Sequence, residues 1–139
     1  MSADIADVPP KAVWQALAGD PAAQLVDVRT DAEWNFVGLP DLGPLGREPH
    51  LIPWQLYPTM AVNAGFVDAL RQRGIQPEQP IYFLCRSGAR SLAAAEAARA
   101  AGYAHTYNIA DGFEGPVGRD GHRGGTAGWK ADGLPWRQR

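Results

Sequence analysis

Apolar positions along the chain fall into two alternating kinds of pattern. Short runs, mostly β-branched or aromatic, occur at Leu25-Val26-Asp27-Val28, Leu51-Ile52, Ile81-Tyr82-Phe83-Leu84 and Thr106-Tyr107-Asn108-Ile109. They are too short for helices and read as strands. The segments between them carry helical signals. Residues 10–18 have Pro10 in the first turn, Val13, Trp14 and Leu17 on one face, and Gly19 just past the end. Thr30-Asp31-Ala32-Glu33 has the capping-box spacing, in which the Thr hydroxyl and the Glu carboxylate satisfy free amides, so a short helix should follow Val28. Residues 63–73 predict a helix with Asn63 as N-cap, an apolar set of Phe66, Val67 and Leu70, two arginines in the last turn, and then Gly74 and Pro77. Residues 91–101 predict an Ala-rich helix that stops at Gly102 and is thin enough to lie close against a sheet.

Strands alternating with helices predict an α/β domain built on a parallel sheet. Two stretches break the rhythm. Residues 38–49, rich in Gly and Pro, read as an ordered excursion rather than another helix. Glycine recurs at every third position from Gly112 through Gly124, but the run is short and holds only Pro116. Collagen is therefore excluded, and a loop near the active-site end of the sheet, with some mobility, is the expectation.

At 139 residues the chain fits one hydrophobic core, so residues 1–139 are read as a single domain. Its 45% hydrophobic and 20% charged residues argue against both disorder and a membrane protein. The opening MSADIADVPPK has no apolar run for a signal peptide, which points to the cytoplasm. A formal charge of -2 gives no reason to expect a nucleic-acid partner. The excess of basic residues over 116–139 reads as a solvated tail. The single cysteine excludes an intrachain disulfide, and His50, His105 and His122 stand too far apart to suggest a metal site. His122 reads as a solvated loop histidine, and the five tryptophans as packing, with Trp129 covering Trp34.

The chemistry concentrates where the strand ending at Leu84 turns through Cys85-Arg86-Ser87-Gly88-Ala89-Arg90 into the Ala-rich helix. Open α/β sheets bind ligands at the carboxyl ends of their strands. A loop that curls there aims backbone N–H groups inward and adds the positive end of a helix dipole. With Arg86 and Arg90 adjacent, it should hold Cys85 as a thiolate nucleophile, and Gly88 supplies the backbone freedom of the turn. A free cysteine is most often a small buried hydrophobe, but a strand end flanked by Arg, Ser and Gly is not an apolar pocket.

These residues resemble the rhodanese-like sulfurtransferase family. Asp27-Val28-Arg29 with Glu33-Trp34 is similar to its first signature and Cys85 to Arg90 to its six-residue active-site loop. Gly112-Phe113-Glu114-Gly115, Gly128-Trp129-Lys130 and Gly133-Leu134-Pro135 are similar to its closing signature. The resemblance spans about residues 8–136 and implies a three-layer domain of about five mainly parallel strands flanked by helices on both faces. Pro49-His50-Leu51-Ile52-Pro53-Trp54 keeps only part of the family's Gly-His-Ile-Pro-Gly-Ala segment.

The resemblance assigns a persulfide to Cys85 and its cradle to Arg86, Ser87, Gly88, Ala89 and Arg90. By the same resemblance, Arg86 at the second loop position implies thiosulfate rather than 3-mercaptopyruvate as donor, and the chemistry agrees, since a guanidinium suits a sulfonate. The expected reaction is a double displacement from thiosulfate to cyanide or a thiol, with no metal or organic cofactor. The alternatives are relay to a protein acceptor, a cysteine phosphatase or arsenate reductase, and a non-catalytic binding module. The phosphatase signature has one residue more between Cys and Arg. Asp27 and Arg29 either brace the loop arginines or form an ion pair that fixes the turn. Glu33 is read as a helix cap rather than an acid catalyst.

Overall fold

All four of the apolar runs become strands of one sheet, displaced by no more than one residue. In a computed structural model that describes residues 4–139, the elements run in chain order as β1 (Ala6–Val8), α1 (Pro10–Gly19), β2 (Gln24–Asp27), α2 (Asp31–Phe36), β3 (Leu39–Pro40), a 3₁₀ turn (Gly43–Leu45), β4 (His50–Leu51), β5 (Gln55–Leu56), β6 (Ala61–Val62), α3 (Phe66–Gln72), β7 (Ile81–Leu84), α4 (Ala89–Ala100), β8 (Thr106–Ile109) and β9 (Trp136–Arg137). Met1, Ser2 and Ala3, the start of the segment read for a signal peptide, lie outside the described residues.

The central sheet has the order β1-β8-β7-β2-β4, with every pair parallel. Its fifth strand, β1, is the one the hydrophobic pattern does not announce. Ala6-Asp7-Val8 is mostly exposed at the sheet edge, and its place is set by backbone pairing to β8 rather than by burial.

Side-chain alternation along the strands splits the core in two. Val26, Phe83 and Cys85 face α3 and α4, where Phe66, Leu70, Ala94, Ala95 and Ala98 are buried. Leu25, Leu84 and Ile109 face the other way, against Val13 and Leu17 of α1 together with Phe113 and Trp129. The alanines of α4 let its backbone settle on the strand that carries the cysteine. Helices therefore cover both faces of a mainly parallel sheet, as expected.

Three local expectations change. Asn63 does not cap α3: the helix starts at Phe66 behind Gly65, with no side-chain cap. The Asn63 carboxamide instead accepts from the Gly65 N–H at 3.1 Å and donates to the Pro53 carbonyl at 2.9 Å, tying down the approach to the helix. Trp129 packs edge-on against Trp14, with ring centroids 6.0 Å apart, in the core of the α1 face. The basic C-terminal segment is built in only in part, since Arg119, Arg137 and Arg139 are exposed while Arg123 and Lys130 are partly buried. Lys130 lies 3.9 Å from the Trp136 ring centroid and donates to the Val37 carbonyl, while β9 pairs antiparallel with β3. Burial and the nearby Arg29 charge push the Lys130 ammonium below its usual value, against the opposing pull of Glu114.

The excursion at 38–49 is ordered, as expected. It runs through β3 and the 3₁₀ turn, buries Leu42, and places Arg47 against the carbonyls of Leu17, Asp20 and Ala23, where it covers the C-terminal end of α1.

Candidate active site

Cys85 follows directly on β7, the middle strand of the sheet, and its side chain is 1% exposed. The loop then turns through Gly88, whose φ of 120° is open to glycine but strained for other residues. The turn brings the Gly88 N–H to within 3.1 Å of Cys85 Sγ. A Cβ on Gly88 would meet nothing closer than Asn108 Nδ2 at 3.6 Å, so backbone conformation, not space, selects glycine here. Ala89 opens α4, two residues earlier than expected, and Ser91 in its first turn places Oγ 3.1 Å from Sγ. The thiol thus faces a backbone N–H, a hydroxyl and the N-terminal end of a helix, which together favour negative charge on sulfur.

The two loop arginines have different surroundings. Arg90 is half-buried and forms a bidentate pair with Glu33, Nη1 to Oε1 at 2.7 Å and Nη2 to Oε2 at 2.9 Å. Glu33 also closes the capping box of α2: its Oε1 accepts from the Thr30 N–H, and its own N–H donates to Thr30 Oγ1. Burial works against the Glu33 charge, but the Arg90 hydrogen bond and charge, the Thr30 amide and Arg29 outweigh it and hold the carboxyl below its ordinary 4.5. The Glu33 hydrogen bond in turn raises Arg90 above its usual value against the cost of burial. Arg86, by contrast, is exposed and makes no ion pair among the described residues.

Asp27 and Arg29 pair with each other. Both are fully buried, with Nη2 to Oδ2 at 2.7 Å and Nε to Oδ1 at 3.0 Å. Arg29 also donates to the Gly38 carbonyl and lies 4.2 Å from the Phe113 ring centroid. The hydrogen bonds that hold a loop arginine come from Glu33, while Asp27 reaches Arg90 only through its charge. The sequence signals only the Glu33 cap; the cap uses Oε1, and Oε2 is left for the second arm of the pair with Arg90.

A cavity of about 630 Å³ opens over the loop. Cys85, Arg86, Ser87, Ala89 and Arg90 form its floor and one wall. The remaining walls come from Glu33 and Val37, from Gln55 and Met60 on the β5–β6 hairpin, and from Glu114 and Arg123 of the glycine-rich segment. The hairpin stands just past the segment at 49–54, where the chain departs from the family pattern, and no apolar run announces it. The glycine-rich segment reaches the site through its backbone. The Phe113 N–H donates to the Cys85 carbonyl at 2.8 Å, and the Glu114 and Gly115 N–H groups donate to the Arg86 carbonyl. His122 is exposed on that loop, away from the cavity lining, and His50 is paired with Gln24 at 2.8 Å.

Comparison with known proteins agrees with this geometry. The family described as the STR4 middle domain matches residues 7–139. Curated relatives include an uncharacterised RP600 homologue of Rickettsia rickettsii, 38% identical over 124 residues that make up 89% of this chain and 90% of the relative. They also include the chloroplastic protein THYLAKOID RHODANESE-LIKE of Oryza sativa subsp. indica, 31% identical over 90% of this chain but only 24% of that protein. The crystal structure of Rv0390 from M. tuberculosis superposes with a TM-score of 0.89 at 47% identity, over 99% of this chain and 100% of that one. The polysulfide-sulfur transferase homodimer from Wolinella succinogenes gives a TM-score of 0.66 at 25% identity, over 99% and 82%. With a cysteine loop between a parallel sheet and an Ala-rich helix, and relatives that span nearly its whole length, the chain belongs to the rhodanese-like family.

Proposed function

We propose that the protein is a sulfurtransferase that takes sulfane sulfur from thiosulfate and carries it as a persulfide on Cys85. The observation that carries this reading is the placement of Cys85 Sγ at the floor of the cavity, with the Gly88 N–H and the Ser91 hydroxyl aimed at it. A likeness to a polysulfide-sulfur transferase supports the same class of chemistry.

In the first half-reaction the Cys85 thiolate attacks the outer sulfur of thiosulfate. The new S–S bond forms as the bond to the sulfonate sulfur breaks, and sulfite leaves with that electron pair. The terminal sulfur of the persulfide keeps the negative charge, within reach of the loop's N–H groups. In the second half-reaction cyanide, or a thiolate, attacks the terminal sulfur and Cys85 departs as thiolate. Neither step calls for a metal or an organic cofactor.

Arg86, exposed at the rim and free of an ion pair among the described residues, is suited to meet the sulfonate of the donor. The loop from Cys85 to Arg90 has one residue fewer than the phosphatase signature, a smaller cradle that suits a single sulfur atom better than a tetrahedral phosphoryl group and argues against the phosphatase reading. Exposed Leu56, Tyr57 and Val62 on the hairpin beside the cavity favour a protein thiol as an acceptor in the cell. We place that reaction in the cytoplasm. No helix among the described residues is long and apolar enough to cross a membrane.

Steady-state transfer from thiosulfate to cyanide tests the proposal. Cys85→Ser should abolish turnover with an unchanged circular-dichroism spectrum. Arg86→Gly should lower thiosulfate efficiency roughly tenfold to hundredfold, the size of one charge-assisted hydrogen bond, and affect 3-mercaptopyruvate less. Parent-level turnover by the Ser variant would remove Cys85 from the mechanism.

A further inference from the structure

The edge strand β1 carries a carboxylate to the back of the nucleophile. Asp7 stands opposite Asn108 in the parallel register of β1 and β8, and it accepts from Asn108 Nδ2 at 2.9 Å. The same nitrogen reaches the Gly88 carbonyl at 3.2 Å. An ionised carboxylate only accepts hydrogen bonds, so the amide must present its nitrogen to Asp7 and its oxygen to the other side. On that side is Ser91. Its Oγ lies within hydrogen-bond distance of Asn108 Oδ1, of the Gly88 carbonyl at 3.2 Å and of Cys85 Sγ at 3.1 Å. Three acceptors therefore share one hydroxyl proton.

We propose that Asp7 and Asn108 are positioning residues for the nucleophile: by fixing the amide, they make Asn108 Oδ1 compete with Cys85 Sγ for the single proton of Ser91. This rests on the reading of Cys85 as the sulfur carrier. When sulfur is a thiolate the hydroxyl turns toward it. When it is a persulfide, the inner sulfur carries no charge and the hydroxyl returns to Asn108. The competition leaves the thiolate less stabilised, and so more nucleophilic, than it would be with Ser91 committed to it.

Ser91 is completely buried and Asn108 is 5% exposed, so the contact between them is shielded from solvent. Other charges face the thiol from every side. Arg86 and Arg90 belong to its own loop, Glu33 comes from α2, and Glu114 and Arg123 come from the glycine-rich segment. The buried Asp27–Arg29 pair lies at the end of β2. Asp7 is the group that connects to the thiol by hydrogen bonds through Asn108 and Ser91, without lining the cavity.

The test is the rate of alkylation of Cys85 by iodoacetamide as a function of pH in Asp7→Ala, Asp7→Asn and Asn108→Leu, with thermal melts alongside. Asp7→Ala removes the nearer of the two acceptors that hold Nδ2 and leaves only the 3.2 Å contact with the Gly88 carbonyl, so the amide is held less firmly, and Asn108→Leu deletes the competing acceptor. In both, the midpoint of the alkylation profile should fall by about one pH unit, the size of one net hydrogen bond. The plateau rate should fall about threefold, as expected for a Brønsted slope of 0.4–0.5. Asp7→Asn keeps an acceptor for Nδ2 and should stay close to the parent.

Equal shifts in Asp7→Ala and Asp7→Asn would reduce Asp7 to a remote charge and overturn the proposal. So would an unchanged profile, or a plateau that rises because the site has merely loosened. If the buried Asn108→Leu fails to fold, the two variants at exposed Asp7 still decide it. Alkylation needs no sulfur transfer, so its result is separate from whether thiosulfate loads Cys85, which the mass of the parent protein reports.

Discussion

The strand, loop and helix of residues 81–100 and the glycine-rich segment of residues 112–129 both close on Cys85, the first through the thiol and the second through the backbone. In the first, neighbours in sequence do the work: Gly88 donates an N–H, Ser91 approaches with its hydroxyl, and α4 begins at once. In the second, closeness does it. A Cβ on Gly112, whose φ is 65°, would stand 2.5 Å from the Cys85 carbonyl oxygen, and one on Gly115 would stand 1.9 Å from the Ala127 carbonyl oxygen. Gly112 and Gly115 serve close backbone contact while Gly121 faces open space, so the regular spacing of the glycines carries no structural period. The groups that donate directly to the thiol are encoded locally, and the wall that holds them in place is encoded at a distance.

The sharpest way to break this contrast is Gly112→Ala. A left-handed residue pressed against a carbonyl combines backbone strain with overpacking, and the loss of stability should be roughly 2–5 kcal/mol. Thermal melting measures it. A variant as stable as the parent would show that the segment does not lock onto the cysteine.

Next in size is Glu33→Gln, which removes the charge that holds Arg90. The expected cost is about 1.5–3 kcal/mol, the worth of a charge-assisted hydrogen bond in a partly buried site. Its pH dependence has a definite sign. Glu33 is held below its ordinary 4.5, so the pair contributes fully above that value and is lost as pH falls below it. The difference in melting temperature between parent and Glu33→Gln should be constant above about pH 5 and shrink on further acidification. A gap that persists undiminished at low pH would assign Glu33 to packing.

The smallest expected effect sharpens the comparison from the other side. Gly125 lies in the same segment, but a Cβ added there would have nothing within 4 Å, and its backbone is not left-handed. Gly125→Ala should change stability by no more than about 0.5 kcal/mol, and a melt resolves that. A large loss there would mean that the segment depends on its glycines throughout, rather than where it touches Cys85 and Arg86.

Much of this architecture is legible in the residues themselves. The runs at Ile81 and Thr106 give their strands without error, the capping box at Thr30 gives α2, and the Cys85 to Arg90 segment leads from a strand into a helix as expected, with the helix already begun at Ala89. The parts that escape reading do so because the pattern of residue types along the chain carries neither backbone pairing nor contacts between remote segments. β1 has no buried alternation because it is an edge strand held by backbone pairing, and the two-residue strands β5 and β6 are too short to show a period. Gln55, Met60, Glu114 and Arg123 enter the cavity from elements remote in sequence, where residue type alone gives no hint of a shared wall. Glu33 announces its cap but not the use of its second oxygen, because the partner lies 57 positions away. Lys130 departs from the solvated-tail reading because charge alone does not reveal an aromatic face such as Trp136 waiting for it, whereas Arg119, Arg137 and Arg139 are exposed.

The central claim is that sulfur resides on Cys85, and intact-protein mass spectrometry after incubation with thiosulfate tests it most directly. The parent should gain the mass of one sulfur atom, lose it on treatment with a reducing thiol or cyanide, and regain it on a second exposure to thiosulfate. The Cys85→Ser variant should gain nothing. A parent protein whose mass stays unchanged, or a Ser variant that gains the same sulfur, would contradict the assignment of Cys85 as the carrier.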